Sequence, residues 1–315
     1  MEKIEIKEIV EKLCSFGERQ LKQNVLAKEF IISLFKIENI NYVIFSFETE
    51  IPNFKNWGLF IDNVKVNCMP TGLVSGKINS NFNIISSLTS SQDFLYKENI
   101  NFNPLCDSIS KANFYFAPSV AINRDLISTL CRAKKVEGFV DVEKVKVDSE
   151  SILVGNLKNP KNIVFSHFDS IGPGAIDNAS GTAICIKLIL ENKDILEDTL
   201  FVFDSNEEIS YDAPIYWGKG YREFEKKNLD LLENAKKIIV VDCVGYSKTE
   251  KITDKEILKL AFPIKKLDKL SSKIVMFSAD FKKLMNVYQS PIDLPAMVSE
   301  EFLRKTLEEV KNYLK

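Results

Sequence analysis

One histidine, His167, stands in 315 residues, and a series of acidic residues follows it in the chain. His167-Phe168-Asp169-Ser170 closes the apolar run NIVFS (162–166). Ten residues past His167, Asp177 lies in Gly174-Ala175-Ile176-Asp177-Asn178-Ala179-Ser180-Gly181. LFVFDS (200–205) is followed by Asn206, Glu207 and Glu208, and KIIVV (237–241) by Asp242. Carboxylates crowded together repel one another unless a cation compensates them. One imidazole with several carboxylate oxygens suits Zn²⁺, Mn²⁺ or Co²⁺. Each piece alone has a plainer reading. A histidine at a strand end is commonly structural, a Glu-Glu pair is commonly solvated surface, and Asp177 before a helix is an N-cap. Asp242 could meet a loop amide. Only the ordered set points to chemistry.

The elements that must position these residues are strands and helices in alternation. NIVFS, LFVFDS, KIIVVDCVG (237–245), EILKLAF (256–262) and KIVMFSA (273–279) read as strands. ASGTAICIKLILEN (179–192), REFEKKNLDLLENA (222–235) and SEEFLRKTLEEVKNYL (299–314) read as helices, the last with Ser299 as N-cap. Apolar strands alternating with helices imply a mostly parallel sheet covered on both faces, with ligands outside the carboxyl ends of its strands. Upstream, 3–14 and 24–36 read as amphipathic helices. From about 41 to 90 short β-type runs (YVIFSF, WGLFI, VKVNC, FNIISSL) alternate with Asn, Gly, Pro and Ser. Residues 91–113 read as loop, 122–133 as a helix, and 136–156 as further β runs.

Composition narrows the function classes. Lys plus Arg number 42 and Asp plus Glu 44, giving a net charge of −2 and no global attraction to nucleic acid or an anionic membrane. The single imidazole excludes within-chain sites that need two or three histidines. The six cysteines are scattered with no Cys-x-x-Cys pair, and Cys185 and Cys243 lie in apolar runs as small hydrophobes. MEKIEIKEIVEKL is charged throughout and unlike a signal peptide, and no apolar run is long enough to span a membrane. The expectation is a cytoplasmic protein. Abundant Lys, Ile and Glu with few Gln hint at a thermophilic source.

The same residues resemble the co-catalytic zinc aminopeptidases and carboxypeptidases of the bacterial leucyl aminopeptidase type, relatives of aminopeptidase Y and glutamate carboxypeptidase. The family's signature runs His-x-Asp-Ser, Pro-Gly-Ala-x-Asp-Asn-x-Ser-Gly, Glu-Glu, Asp, then Tyr-His-Thr/Ser-Pro-x-Asp. Here the chain has HFDS at 167–170, PGAIDNASG at 173–181, EE at 207–208, VVD at 240–242 and YQSPID at 288–293. FGERQ at 16–20 is a weaker echo of the family's N-terminal segment.

The resemblance implies a three-layer α/β fold with a mixed, mostly parallel central sheet flanked by helices, plus a small β-rich insertion. It implies a metallopeptidase-like domain of 1–46 and 127–315 and an inserted subdomain of 47–126, for which a lid or an oligomer contact is open. It further implies that His167, Asp177 and Asp242 hold one metal, and that Asp177 bridges to a second completed by Glu208 and position 289. Glu207 becomes the general base and Asp169 the partner that orients His167. The implied substrate is a peptide, attacked at its N-terminal residue.

Where the family has its last histidine, this chain has Gln289. A neutral amide is a poor zinc partner, so one strong Zn²⁺ site and a second that is weak or absent are expected, with Mn²⁺ or Co²⁺ as alternatives. The family's glutaminyl cyclases use one zinc at the position that needs the missing histidine, which disfavours cyclisation. After Glu208, Tyr211, Tyr216, Trp217 and Tyr221 read as core aromatics, with a pocket for an apolar side chain as the other option. Two functions remain: a metal-dependent exopeptidase, and a peptidase-fold protein that has lost turnover and acts as a binding or assembly subunit. Retention of Glu207 argues for the enzyme.

Overall fold

A computed structural model describes residues 4–79, 82–89 and 92–315; the first residue of the helix expected at 3–14 and of the loop expected at 91–113 lie outside the described residues. Two helices, α1 (Ile6–Cys14) and α2 (Leu21–Ile37), precede the long strand β1 (Tyr42–Ile61). Asp62 and Asn63, both at positive φ, turn the chain into β2 (Val64–Val66). Next come β3 (Met69–Pro70), β4 (Gly76–Ile78), β5 (Asn83–Ser86), β6 (Asn99–Phe102), β7 (Ser119–Ala121) and α3 (Ile127–Arg132). A second long strand, β8 (Val136–Gly155), returns to the main sheet. The remainder is β9 (Asn162–His167), α4 (Ser180–Glu191), β10 (Thr199–Asp204), α5 (Lys219–Asn234), β11 (Lys237–Val241), β12 (Glu250–Ile252), α6 (Lys255–Ala261), α7 (Leu267–Leu270), β13 (Ile274–Ser278), α8 (Phe281–Leu284) and α9 (Glu300–Leu314).

The fold is three-layer α/β. Its main sheet runs β12-β13-β11-β9-β10-β8-β1-β2, with β4 added beside β8. β10, β9, β11 and β13 are parallel, and the outer pairs are antiparallel, so the sheet is mixed with a parallel centre. Every residue of β9, β10 and β13 is buried, as strands covered on both faces must be. One face packs against α1, α2, α4 and α9, through residues such as Ile9, Phe35, Ile184 and Leu303. The other packs against α5, α6 and α7, where Phe165 meets Phe224 and Phe262 with ring centroids 5.2 and 4.9 Å apart. Among the described residues no helix is long and apolar enough to cross a membrane.

β1 and β8 pair antiparallel from Tyr42↔Val154 to Ile61↔Val136, irregular only at Phe54/Asn56. The YVIFSF and WGLFI runs are therefore parts of one strand, as are the runs within 136–156. The far end of this ribbon carries a small separate core (Leu59, Ile78, Ile100, Val120, Val140) under a sheet of order β3-β7-β6-β5.

Three expectations are corrected. The run expected as a strand at 256–262 lies in α6 (Lys255–Ala261) and its C-cap Phe262: the Asp254 carboxylate accepts the N–H groups of Glu256 (2.9 Å) and Ile257 (3.1 Å), an N-cap that the apolar run concealed. Residues 91–113 are not all loop, because β6 lies at 99–102 and is buried through polar side chains. Asn101 Nδ2 lies within hydrogen-bond reach of Thr71 Oγ1 (2.8 Å), Asn99 Oδ1 (3.0 Å) and Val120 O (3.1 Å), so the asparagine face of this Asn-Ile-Asn-Phe strand is buried as fully as Ile100. The helix expected at 122–133 is shorter, a 3₁₀ turn at Arg124–Leu126 leading into α3.

Candidate metal centre

Three neighbouring parallel strands, β10, β9 and β11, end at one edge of the sheet. β9 ends on His167, paired in register with Asp204 of β10. Asp169 lies two residues on, Glu207 and Glu208 follow β10, and Asp242 follows β11. Asp177 reaches the same edge through the turn at 174–179 that leads into α4. All six are buried, as is Gln289.

His167 Nε2 lies 3.3 Å from Asp242 Oδ1 and 3.4 Å from Asp177 Oδ1. Its other nitrogen, Nδ1, lies 3.3 Å from the Asp169 carbonyl and 3.4 Å from Asp169 Oδ1. The imidazole thus presents Nε2 to two carboxylates while Asp169 holds its opposite side. The Asp169 carboxylate also accepts the backbone N–H groups of Glu207 (3.1 Å) and Glu208 (3.0 Å), so one side chain fixes both His167 and the Glu-Glu turn. Ligand atoms of His167, Asp177 and Glu208 lie within 4.8 Å of one another.

Glu208 differs from the rest. Its Oε1 accepts the Ile171 N–H (3.1 Å) and its Oε2 accepts Gln289 Nε2 (2.6 Å). Gln289 sits in the left-handed region at φ 46°, a conformation that brings its amide onto this carboxylate.

Burial pushes Glu207 and Glu208 well above the usual carboxylate range, and neighbouring Asp242 and Asp177 push in the same direction. Burial likewise raises Asp177, against the opposing pull of His167. For His167, burial disfavours the charged ring, but Tyr221, Asp242, Asp169 and Asp177 together outweigh it and hold its pKa well above the ordinary value. Ionised together, these carboxylates would carry more negative charge than one imidazolium can offset, which, with burial, is why their pKa values rise. A divalent cation fits that deficit, and N plus O donors suit Zn²⁺, Mn²⁺ or Co²⁺.

The turn that carries Asp177 is held by residues distant in sequence. Arg19, fully buried, donates Nε to Phe168 O (2.6 Å), Nη1 to Pro173 O (2.7 Å) and Nη2 to Gly174 O (2.9 Å). Asp293 accepts the N–H groups of Ile176 (2.8 Å) and Asp177 (3.2 Å). Gly174 is at φ 58°, and a Cβ there would stand 2.4 Å from both Asp177 O and Ser170 Cβ. FGERQ and YQSPID contained Arg19 and Asp293, yet nothing in their spacing disclosed these contacts. Cys243 is the other residue that sequence alone missed: at φ 53°, its sulfur joins Asp177 and Asp242 in a second group of donors within 4.8 Å.

The acidic edge opens into a cavity of about 470 Å³. Its lining is in part acidic, with Asp177, Glu207, Glu208 and Asp242, and in part apolar, with Ile257, Leu260, Met276, Phe281, Leu284 and Met285. Ser87, Leu88, Ala112 and Asn113, from the loops that follow β5 and β6, add a roof, and among the described lining residues there is no Lys or Arg. The roof is tied down by Lys111 N–H to Gln289 O (2.9 Å), Ser110 Oγ to Tyr288 O (2.7 Å) and Asn103 Nδ2 to Met285 O (2.8 Å). Of the four aromatics, Tyr216 and Trp217 line the cavity, and Tyr221 packs in the core beneath. Tyr211 does not line the cavity but packs against the cluster that contains Tyr216, with Lys144 Nζ 4.8 Å above its ring.

Residues 153–288 match the model of peptidase family M28, a stretch that includes every site residue named above from His167 to Cys243 and stops one short of Gln289. Solved structures share the fold across nearly the whole chain. An aminopeptidase from Aneurinibacillus sp. strain AM-1 is 16% identical over 96% of this chain and 90% of its own, with a TM-score of 0.62. A zinc aminopeptidase from Bacillus subtilis is 12% identical over 97% and 92%, with a TM-score of 0.67. A glutaminyl cyclase from Porphyromonas gingivalis is 10% identical over 98% and 96%, with a TM-score of 0.54. No curated protein sequence is significantly similar to the chain.

Proposed function

We propose that this chain is a metal-dependent exopeptidase of the aminopeptidase kind, removing N-terminal residues from peptides. One observation carries the reading: His167, Asp177 and Asp242 converge beside Glu207 at the acidic part of a cavity whose described lining offers no cation. An N-terminal ammonium is attracted to that part, whereas a C-terminal carboxylate would be repelled and would meet no Arg or Lys partner. The apolar part accommodates a hydrophobic side chain. The M28 match and the aminopeptidase neighbours support the peptidase class.

His167, Asp177 and Asp242 would hold the metal. A divalent ion there supplies Lewis acidity, acidifying water and polarising the scissile carbonyl. Glu207, whose side chain lines the cavity, takes a proton from the attacking water and returns it to the departing amine. Asp169 positions His167 through Nδ1 and sets the Glu207 backbone. The bond from Gln289 to Glu208 makes a second ion weak or absent in this scheme. We also assign residues 47–126 as an insertion into the 1–46 and 127–315 domain, with its loops after β5 and β6 serving as the roof.

Glu207→Gln tests the mechanism. Hydrolysis of aminoacyl-arylamides should fall by roughly 10²–10⁴-fold in kcat with metal content unchanged. Equal rates in the two proteins remove Glu207 from the reaction. The Gln289–Glu208 bond favours the second reading, a binding or assembly subunit; a metal-loaded wild type that binds peptides and turns over none would establish it.

A further inference from the structure

Cys243 directly follows Asp242, and its left-handed backbone, φ 53°, turns the side chain to the wall of the cavity. Its sulfur and one carboxylate oxygen each from Asp177 and Asp242 lie within 4.8 Å of one another. Those same two residues flank His167 Nε2 at 3.4 and 3.3 Å. Asp177 and Asp242 thus stand between the imidazole on one side and the Cys243 sulfur on the other. We propose that Cys243 supplies a thiolate ligand to the metal held by His167, Asp177 and Asp242, which rests on the metal centre proposed above.

Zinc takes nitrogen and oxygen at about 2.0–2.2 Å and thiolate at about 2.3 Å. Donors on a common ion then stand roughly 3–4 Å apart, so Cys243, Asp177 and Asp242, within 4.8 Å of one another, need a contraction of about 1 Å to share one. On binding, the S–H bond gives way to a metal–sulfur bond, and the proton leaves to solvent. A soft donor on this side strengthens zinc affinity where the opposite side offers Glu208 already bonded to the Gln289 amide. Cys14 and Cys185, also buried, lie in the apolar core and do not line this cavity.

Full-length protein loaded with Co²⁺ reads the ligand directly, because thiolate coordination produces near-ultraviolet sulfur-to-cobalt absorption that nitrogen and oxygen donors do not give. The wild type should show that band, and Cys243→Ser should lose it while keeping the visible bands of bound Co²⁺. Cys131→Ala, which removes the exposed thiol, should leave the spectrum unchanged. Visible bands without sulfur absorption in the wild type, or sulfur absorption that survives Cys243→Ser, overturn thiolate ligation and leave the metal centre standing. No bound Co²⁺ at all overturns the metal centre and this inference with it. Zinc-edge X-ray absorption of the wild type needs no variant. A sulfur shell near about 2.3 Å supports the ligand, and a shell of nitrogen and oxygen alone overturns it.

Discussion

His167, Asp177 and Asp242 on one side of the site, and Glu208 with Gln289 on the other, are all buried, yet they satisfy their polar atoms by different means. On the first side the donors face one another across 3.3–3.4 Å, with one imidazole against two carboxylates. On the second, Glu208 takes one hydrogen bond from the Ile171 backbone and one from Gln289, so the protein itself supplies its partners. A buried carboxylate with hydrogen-bond donors is far less costly than one facing a second carboxylate. The contrast marks the first side as the place where a cation would fit and the second as one whose polar atoms the protein itself satisfies.

The largest effect that could break this contrast comes from His167→Ala. It removes the only nitrogen donor on the metal side, and both metal binding and peptide hydrolysis should drop to background, read by metal analysis and arylamide turnover. Retained metal would move the centre elsewhere. Arg19→Met comes next and acts on the frame. Three carbonyls that bear on the HFDS and PGAIDN turns lose a charged donor, so stability should fall by at least about 3 kcal/mol, measured by denaturant unfolding. A change below about 1 kcal/mol would show that the turns hold without it. Asp169→Asn should weaken metal affinity or activity by roughly 10–100-fold, since the amide can no longer accept from both Glu N–H groups while holding His167. Competition titration with a chelator measures this. Gln289→His has the smallest effect on the first metal and sharpens the contrast most: stoichiometry should rise from one ion towards two. Unchanged stoichiometry would mean that position 289 does not limit the second ion.

Legibility from sequence followed the kind of residue involved. Apolar runs ending in His167, Glu207 and Asp242 announced their strands and their common edge, because buried parallel strands are continuous in hydrophobicity and charge marks where each leaves the core. The chain does bring those residues together with Asp177. β6 escaped because its burial is achieved by hydrogen-bonded asparagines, which read as loop. α6 escaped because IleLeuLysLeu fits either period until the Asp254 cap is recognised. Arg19, Asp293 and the roof escaped because each acts across more than a hundred residues of sequence. Cys243 escaped because its direction depends on a left-handed backbone at a non-glycine residue, which no periodicity encodes.

The most direct test of the account is an anomalous-scattering map at the zinc edge from a crystal soaked in Zn²⁺. The account predicts one dominant peak between His167 Nε2, Asp177 Oδ1 and Asp242 Oδ1, with Glu208 still bonded to Gln289. No peak at that position, or two equal peaks with Glu208 released to ligate the second, would contradict it.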